Sequence, residues 1–180
     1  MKKLLLILLC LPMIGFGQEF PINEKTGKVS YEGVVKVEGA SATDLYIKAN
    51  EWFARTFNSA NNVIQMQDKE AGKIIGKGNI TAYGHFKNFE SGIWKFTVSF
   101  TAKEGRFRYV ISDIYHETGG YENVKGAGGD IKNEKPECGK WYLTKGQWNK
   151  IKARASTQFQ DIAKDLEQSM TVTLNEDDDW

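Results

Sequence analysis

Cysteine, histidine and proline are all scarce in this chain, at two, two and three among 180 residues. Cys10 falls inside an apolar run at the N-terminus, so Cys138 is the single thiol once that run is removed and no internal disulfide can then form. A packed core must supply the stability that staples give to many small exported domains. His85 and His116 stand far apart, and no H-E-x-x-H or C-x-x-C spacing occurs. The familiar zinc motifs are thereby excluded. Neither sign of charge is in excess, with 24 Lys and Arg against 23 Asp and Glu and a net charge of +1. Nucleic-acid binding rests on a large cationic footprint, which a near-neutral chain with an acidic Glu176-Asp177-Asp178-Asp179 segment lacks. After residue 17 no apolar run approaches the roughly 20 residues of a membrane helix, so no transmembrane segment is expected there.

What is present begins at the N-terminus. Lys2 and Lys3 precede the apolar run Leu4 to Met13, and Gly15-Phe16-Gly17 precedes Gln18. A positive start, an apolar stretch too short to span a bilayer, and small residues before the cut are the marks of a signal peptide. The pattern predicts residues 1–17 as an export signal, residues 18–170 as one domain and residues 171–180 as an acidic, frayed tail. Lipid anchoring at Cys10 is not expected, because Leu9 rather than a small residue precedes it. Removal of Lys2 and Lys3 leaves 22 basic against 23 acidic residues, a net charge of −1. A periplasmic or secreted location would remove nucleotide-fuelled chemistry and genomic DNA from the range of functions.

Hydrophobic period organises the remainder. Val29 to Val37 reads as a strand with Tyr31, Gly33, Val35 and Val37 on one face. Ser41 with Asp44 opens a helix whose apolar positions are Leu45, Ala49, Trp52, Phe53 and Phe57. Strands follow at Asn62 to Asp68 and Lys73 to Gly84. Trp94, Phe96, Val98, Phe100 and Ala102 then alternate with polar residues, giving the clearest strand of all. Glu104-Gly105 turns the chain into a returning strand, Arg106 to Tyr115, whose alternation slips at Asp113-Ile114 and so predicts a bulge or a strand end. Residues 116–145 read as a long Gly-rich loop with a short hairpin near Trp141 and Tyr142. Trp148, Ile151, Ala155, Phe159, Ile162, Leu166 and Met170 recur at helical spacing and form the last element.

This order, β-α-β-β-β-β-α, predicts an α+β fold: a mainly antiparallel sheet of about five strands with both helices packed on one face. Gly76 and Gly78 fit a strand crossed closely by a helix. The opposite face would carry Lys36, Lys73, Lys77, Asn79, Thr81, Lys95, Thr97, Ser99, Thr101, Arg106, Arg108 and Ser112, and so be polar and locally basic.

Phe20-Pro21, Thr26-Gly27-Lys28-Val29, Tyr46 with Trp52-Phe53, Asp68 to Gly78 and the hairpin Ala102 to Tyr109 together give Phe20 to Asp113 a recognisable pattern. The stretch resembles a secreted bacterial family, the domain of unknown function 4468, whose fold is like that of the TATA-box-binding protein. The resemblance implies a TBP-like fold and no activity, since these positions are turns, packing aromatics and close-contact glycines. A shared fold does not carry the namesake's function with it.

Candidate chemistry is thin. His116 lies beside Asp113 and Glu117, yet a histidine without an orienting partner or further ligands is a structural residue, and the same holds for His85. Cys138 has lysines nearby but no histidine to act as a base. Gly126 to Asp130 lacks the Lys-Ser/Thr and the βαβ setting of a phosphate loop. Glu176 to Asp179 lacks the alternating ligands and central glycine of a calcium loop. No catalytic residue, metal site or cofactor is assigned. The constellation that remains is Lys77, Lys95, Thr97 and Arg108 on the open sheet face, which suits an anionic ligand such as a glycan or a lipid headgroup, or an acidic envelope protein. The chain is therefore expected to be an exported, non-catalytic binding module acting through that face or through loop 116–145. The alternatives are a helix-grip carrier of a small hydrophobic ligand and, last, a hydrolase using His116.

Overall fold

A computed structural model describes residues 20–57, 63–84, 90–117, 128–138 and 143–171. In chain order the elements are β1 (Tyr31–Lys36), α1 (Ala42–Thr56), β2 (Ile64–Asp68), β3 (Lys73–Tyr83), β4 (Glu90–Lys103), β5 (Arg106–Glu117), β6 (Gly129–Asp130) and α2 (Lys145–Thr171). The strands form one antiparallel sheet in the order β1-β5-β4-β3-β2, with β6 also paired to β5. The described residues thus hold six strands where about five were expected. The sixth is only two residues long and pairs its backbone with Tyr115 and His116.

Local chemistry sets the helix ends. Ser41 Oγ accepts the Asp44 amide at 3.0 Å, capping α1 in the predicted place. The α2 N-terminus is a reciprocal capping box: Gln147 Oε1 accepts the Thr144 amide at 2.9 Å and Thr144 Oγ1 accepts the Gln147 amide at 3.3 Å. This box starts α2 at Lys145, ahead of the Trp148 where its apolar stripe begins.

Both helices cover the same sheet face. Trp94, Phe96, Val98 and Phe100 of β4 point into the core together with Phe107, Tyr109 and Ile111 of β5. Phe57 at the end of α1 and Phe159 of α2 both reach Phe96, with ring centroids 6.0 and 5.1 Å away. Trp52 of α1 donates from its indole Nε1 to Asp165 Oδ2 of α2 at 2.7 Å, tying the helices together. Gly76 and Gly78 let α1 approach closely. A Cβ on Gly76 would lie 2.6 Å from Phe53 Cε1, and one on Gly78 would collide with Phe57.

β5 carries one irregularity that shapes the open face. Thr97 pairs with Ser112 and Lys95 with Tyr115, so Asp113 and Ile114 together oppose Phe96. That is the predicted bulge, and the strand continues past it to Glu117. Asp113 adopts φ 54°, the left-handed region that Asp and Asn enter more readily than most residues. The bulge aims the Asp113 side chain outward and returns Ile114 and His116 to the core.

Candidate functional site

The outward face is ordered by strand register. Lys77 of β3 lies opposite Thr97 of β4, and Asn79 lies opposite Lys95. These four residues and the bulge residue Asp113 rim a depression of about 360 Å³ that opens to solvent. Gly78 and Phe96 contribute its floor through their backbones, because their side positions face the core.

Most charges at the rim are committed. Asp113 Oδ1 lies 2.6 Å from Lys28 Nζ, and this bond holds the Asp113 carboxyl below its ordinary range, with smaller help from the Thr97 and Ser112 hydroxyls. Lys95 Nζ lies 2.7 Å from Glu117 Oε2. Lys77 is in no ion pair among the described residues. The site therefore offers one uncommitted ammonium, an amide, a hydroxyl and two carboxylate-linked pairs. Such a set of donors and acceptors matches hydroxyl groups and one anionic group better than a polyanion.

Three of the four residues singled out in the sequence share this depression, and the fourth does not. Arg108 pairs with Thr101, four residues along β4 from Thr97, or about 13 Å at strand spacing. Its guanidinium sits 2.9 Å from Glu32 Oε2 and pulls the Glu32 carboxyl down. Asn79 and Asp113 are rim residues that sequence reasoning did not assign to the site. Asn79 was legible, since it flanks Lys77 on the same face. Asp113 entered through the bulge, which reverses the side that a simple alternation would give it.

The residues weighed for catalysis sit elsewhere. His116 has no solvent exposure and packs edge-on against Trp94 and Trp148, at ring centroid distances of 4.9 and 5.6 Å. Among the described residues neither ring nitrogen has a hydrogen-bond partner of good geometry, although a Ser91 backbone group lies near. Burial pushes its pKa down to about 4. Asp113 faces the opposite side of the sheet, so the two do not form an acid–base pair. Burial raises the Cys138 thiol, away from the thiolate that nucleophilic attack requires. His85, Gly126, the Trp141-Tyr142 hairpin, the export signal and the acidic tail beyond Thr171 lie outside the described residues. A second open depression of about 420 Å³ is lined by Phe20, Ile22, Val29 and Lys132.

Residues 31–117 match the family model for a domain of unknown function, DUF4468, with a TBP-like fold. This stretch is a DUF4468 domain. A TBP-like protein from Parabacteroides distasonis superposes with a TM-score of 0.61 at 17% identity, over 82% of this chain and 96% of that one. A DUF4468 family protein from Bacteroides ovatus gives 0.59 at 16% identity, over 84% and 91%. Both likenesses extend beyond the DUF4468 stretch itself, and at these identities they establish the fold alone. No curated protein matches the chain.

Proposed function

We propose that the protein is an exported, non-catalytic binding module that takes a hydroxyl-rich ligand with one anionic group, of the glycan class, on the open face of its DUF4468 sheet. The observation that carries this reading is the convergence of Lys77, Asn79, Lys95, Thr97 and Asp113 around one depression on a rigid sheet. A site built on strands holds its donors in place, and backbones floor it. The helix-facing side supports this choice over a ligand carrier, because aromatic side chains fill the space between helices and sheet.

Thermal melts in the presence of acidic and neutral saccharides test it. An acidic sugar should raise Tm, and the Lys77→Gln, Thr97→Val variant should abolish the rise while its unliganded Tm stays within a few degrees of the parent. A ligand-induced rise of equal size in the variant would place binding elsewhere and overturn the reading.

A further inference from the structure

The far end of the open face carries a second feature, separate from the depression. Arg106 is the first residue of β5. Its register partner on one side is Lys103 of β4 and on the other Lys36 of β1. All three are exposed and point outward, away from the helices. Directly opposed cross-strand side chains stand about 5 Å apart, and like charges there repel. None of the three takes part in an ion pair among the described residues. Glu38 and Glu104, the acidic residues next to the row in sequence, form no ion pair with it among the described residues; Glu104 Oε1 instead accepts the Ala42 amide at the start of α1, and Glu32 is bound to Arg108. In a chain whose net charge is +1, and −1 from Gln18 onward, three adjacent exposed cations outside any ion pair among the described residues are a local concentration.

We propose that this row docks the protein onto an anionic phospholipid bilayer. A small anion is held by donors that converge on it. Lys103, Arg106 and Lys36 instead stand side by side across three strands, spanning about 10 Å, so they match charges spread over a plane. The adjoining outward position on β1 is Val34, 65% exposed and paired in register with Arg108, which sets an apolar side chain beside the cations at the contact. Basic residues at a surface gain from the negative potential of anionic lipid, and that gain is screened by salt.

The chain from Gln18, the expected mature start, would be sedimented with vesicles of phosphatidylcholine alone and with one third phosphatidylglycerol. Only the anionic vesicles should carry it down, and raising salt from about 0.1 M to about 0.5 M should release it. The Lys36→Gln, Lys103→Gln, Arg106→Gln variant should partition on the order of a hundredfold more weakly, about fivefold for each charge lost. Lys150→Gln with Lys164→Gln, on the helix side, should change partitioning less than threefold. Near-UV circular dichroism checks that the variants fold, and the salt titration of the parent does not depend on them. Equal sedimentation with both vesicle types, an unweakened row variant, or release by millimolar inorganic phosphate would each overturn the proposal. The last of these would identify a discrete anion site instead.

Discussion

His116 is the residue where a catalytic reading and a structural one diverge most sharply, and its surroundings decide between them. A buried imidazole packed against two tryptophans is kept neutral, with a pKa of about 4 against an ordinary 6.5. The unfolded chain therefore binds the proton more readily between those values. Its contribution to stability is complete above pH 6.5 and is lost progressively as the pH falls to about 4. The full loss is about 3 kcal/mol by linkage. His116→Phe should keep the ring packing, remove two unpartnered nitrogens and flatten this part of the pH profile. Chemical denaturation of both proteins between pH 4 and 7 measures it. Parallel profiles would mean that His116 does not titrate in that window. The adjacent Trp94 Nε1 is also without a partner among the described residues, so within them this cluster stacks its rings well and satisfies its polar atoms poorly.

At the scale of elements, a tight fit joins α1 and the residue that caps it to β3. Gly78→Ala would drive a methyl into the Phe57 ring, and overpacking of this kind costs about 1–3 kcal/mol. Adding Phe57→Leu should recover part of that loss, a coupling visible in a double-mutant cycle of urea melts. Additive losses would show that the strand shifts and the ring does not. The two glycines were legible in the sequence as points of helix contact, as were α1, β4 and β5, because their hydrophobic periods are unambiguous and Glu104-Gly105 marks the hairpin. β6 was not legible, since two residues that pair only through their backbone leave no side-chain pattern. The early start of α2 was missed because Thr144 and Gln147 sit in polar, glycine-bearing sequence that resembles a loop. Alternation assigns residues to faces, whereas distance within a face depends on register. The remoteness of Arg108 from Lys77 follows from the hairpin register alone. The position of Lys36 beside Arg106 required the β1–β5 pairing across a long sequence separation, and short-range pattern does not contain that.

For the molecule as a whole, the family stretch and the folding unit differ in extent. DUF4468 similarity ends at Glu117, yet Trp148, Ile151, Phe159 and Leu166 of α2 are buried in the same core as Trp94 and Phe96. A chain ending at Glu117 should therefore lose its near-UV circular dichroism and bind a hydrophobic dye, since half of the sheet's apolar face would lie bare. A cooperative melt of that shortened chain would show instead that α1 and the sheet suffice. The one-sided layering has a wider consequence. Every large apolar side chain between helices and sheet serves cohesion, and every alternate strand position is released from that duty. Sequence can drift at the released positions while the architecture persists, and proteins sharing 16–17% of their residues with this one superpose along most of their length. Related chains could thus recognise dissimilar molecules with one inherited scaffold.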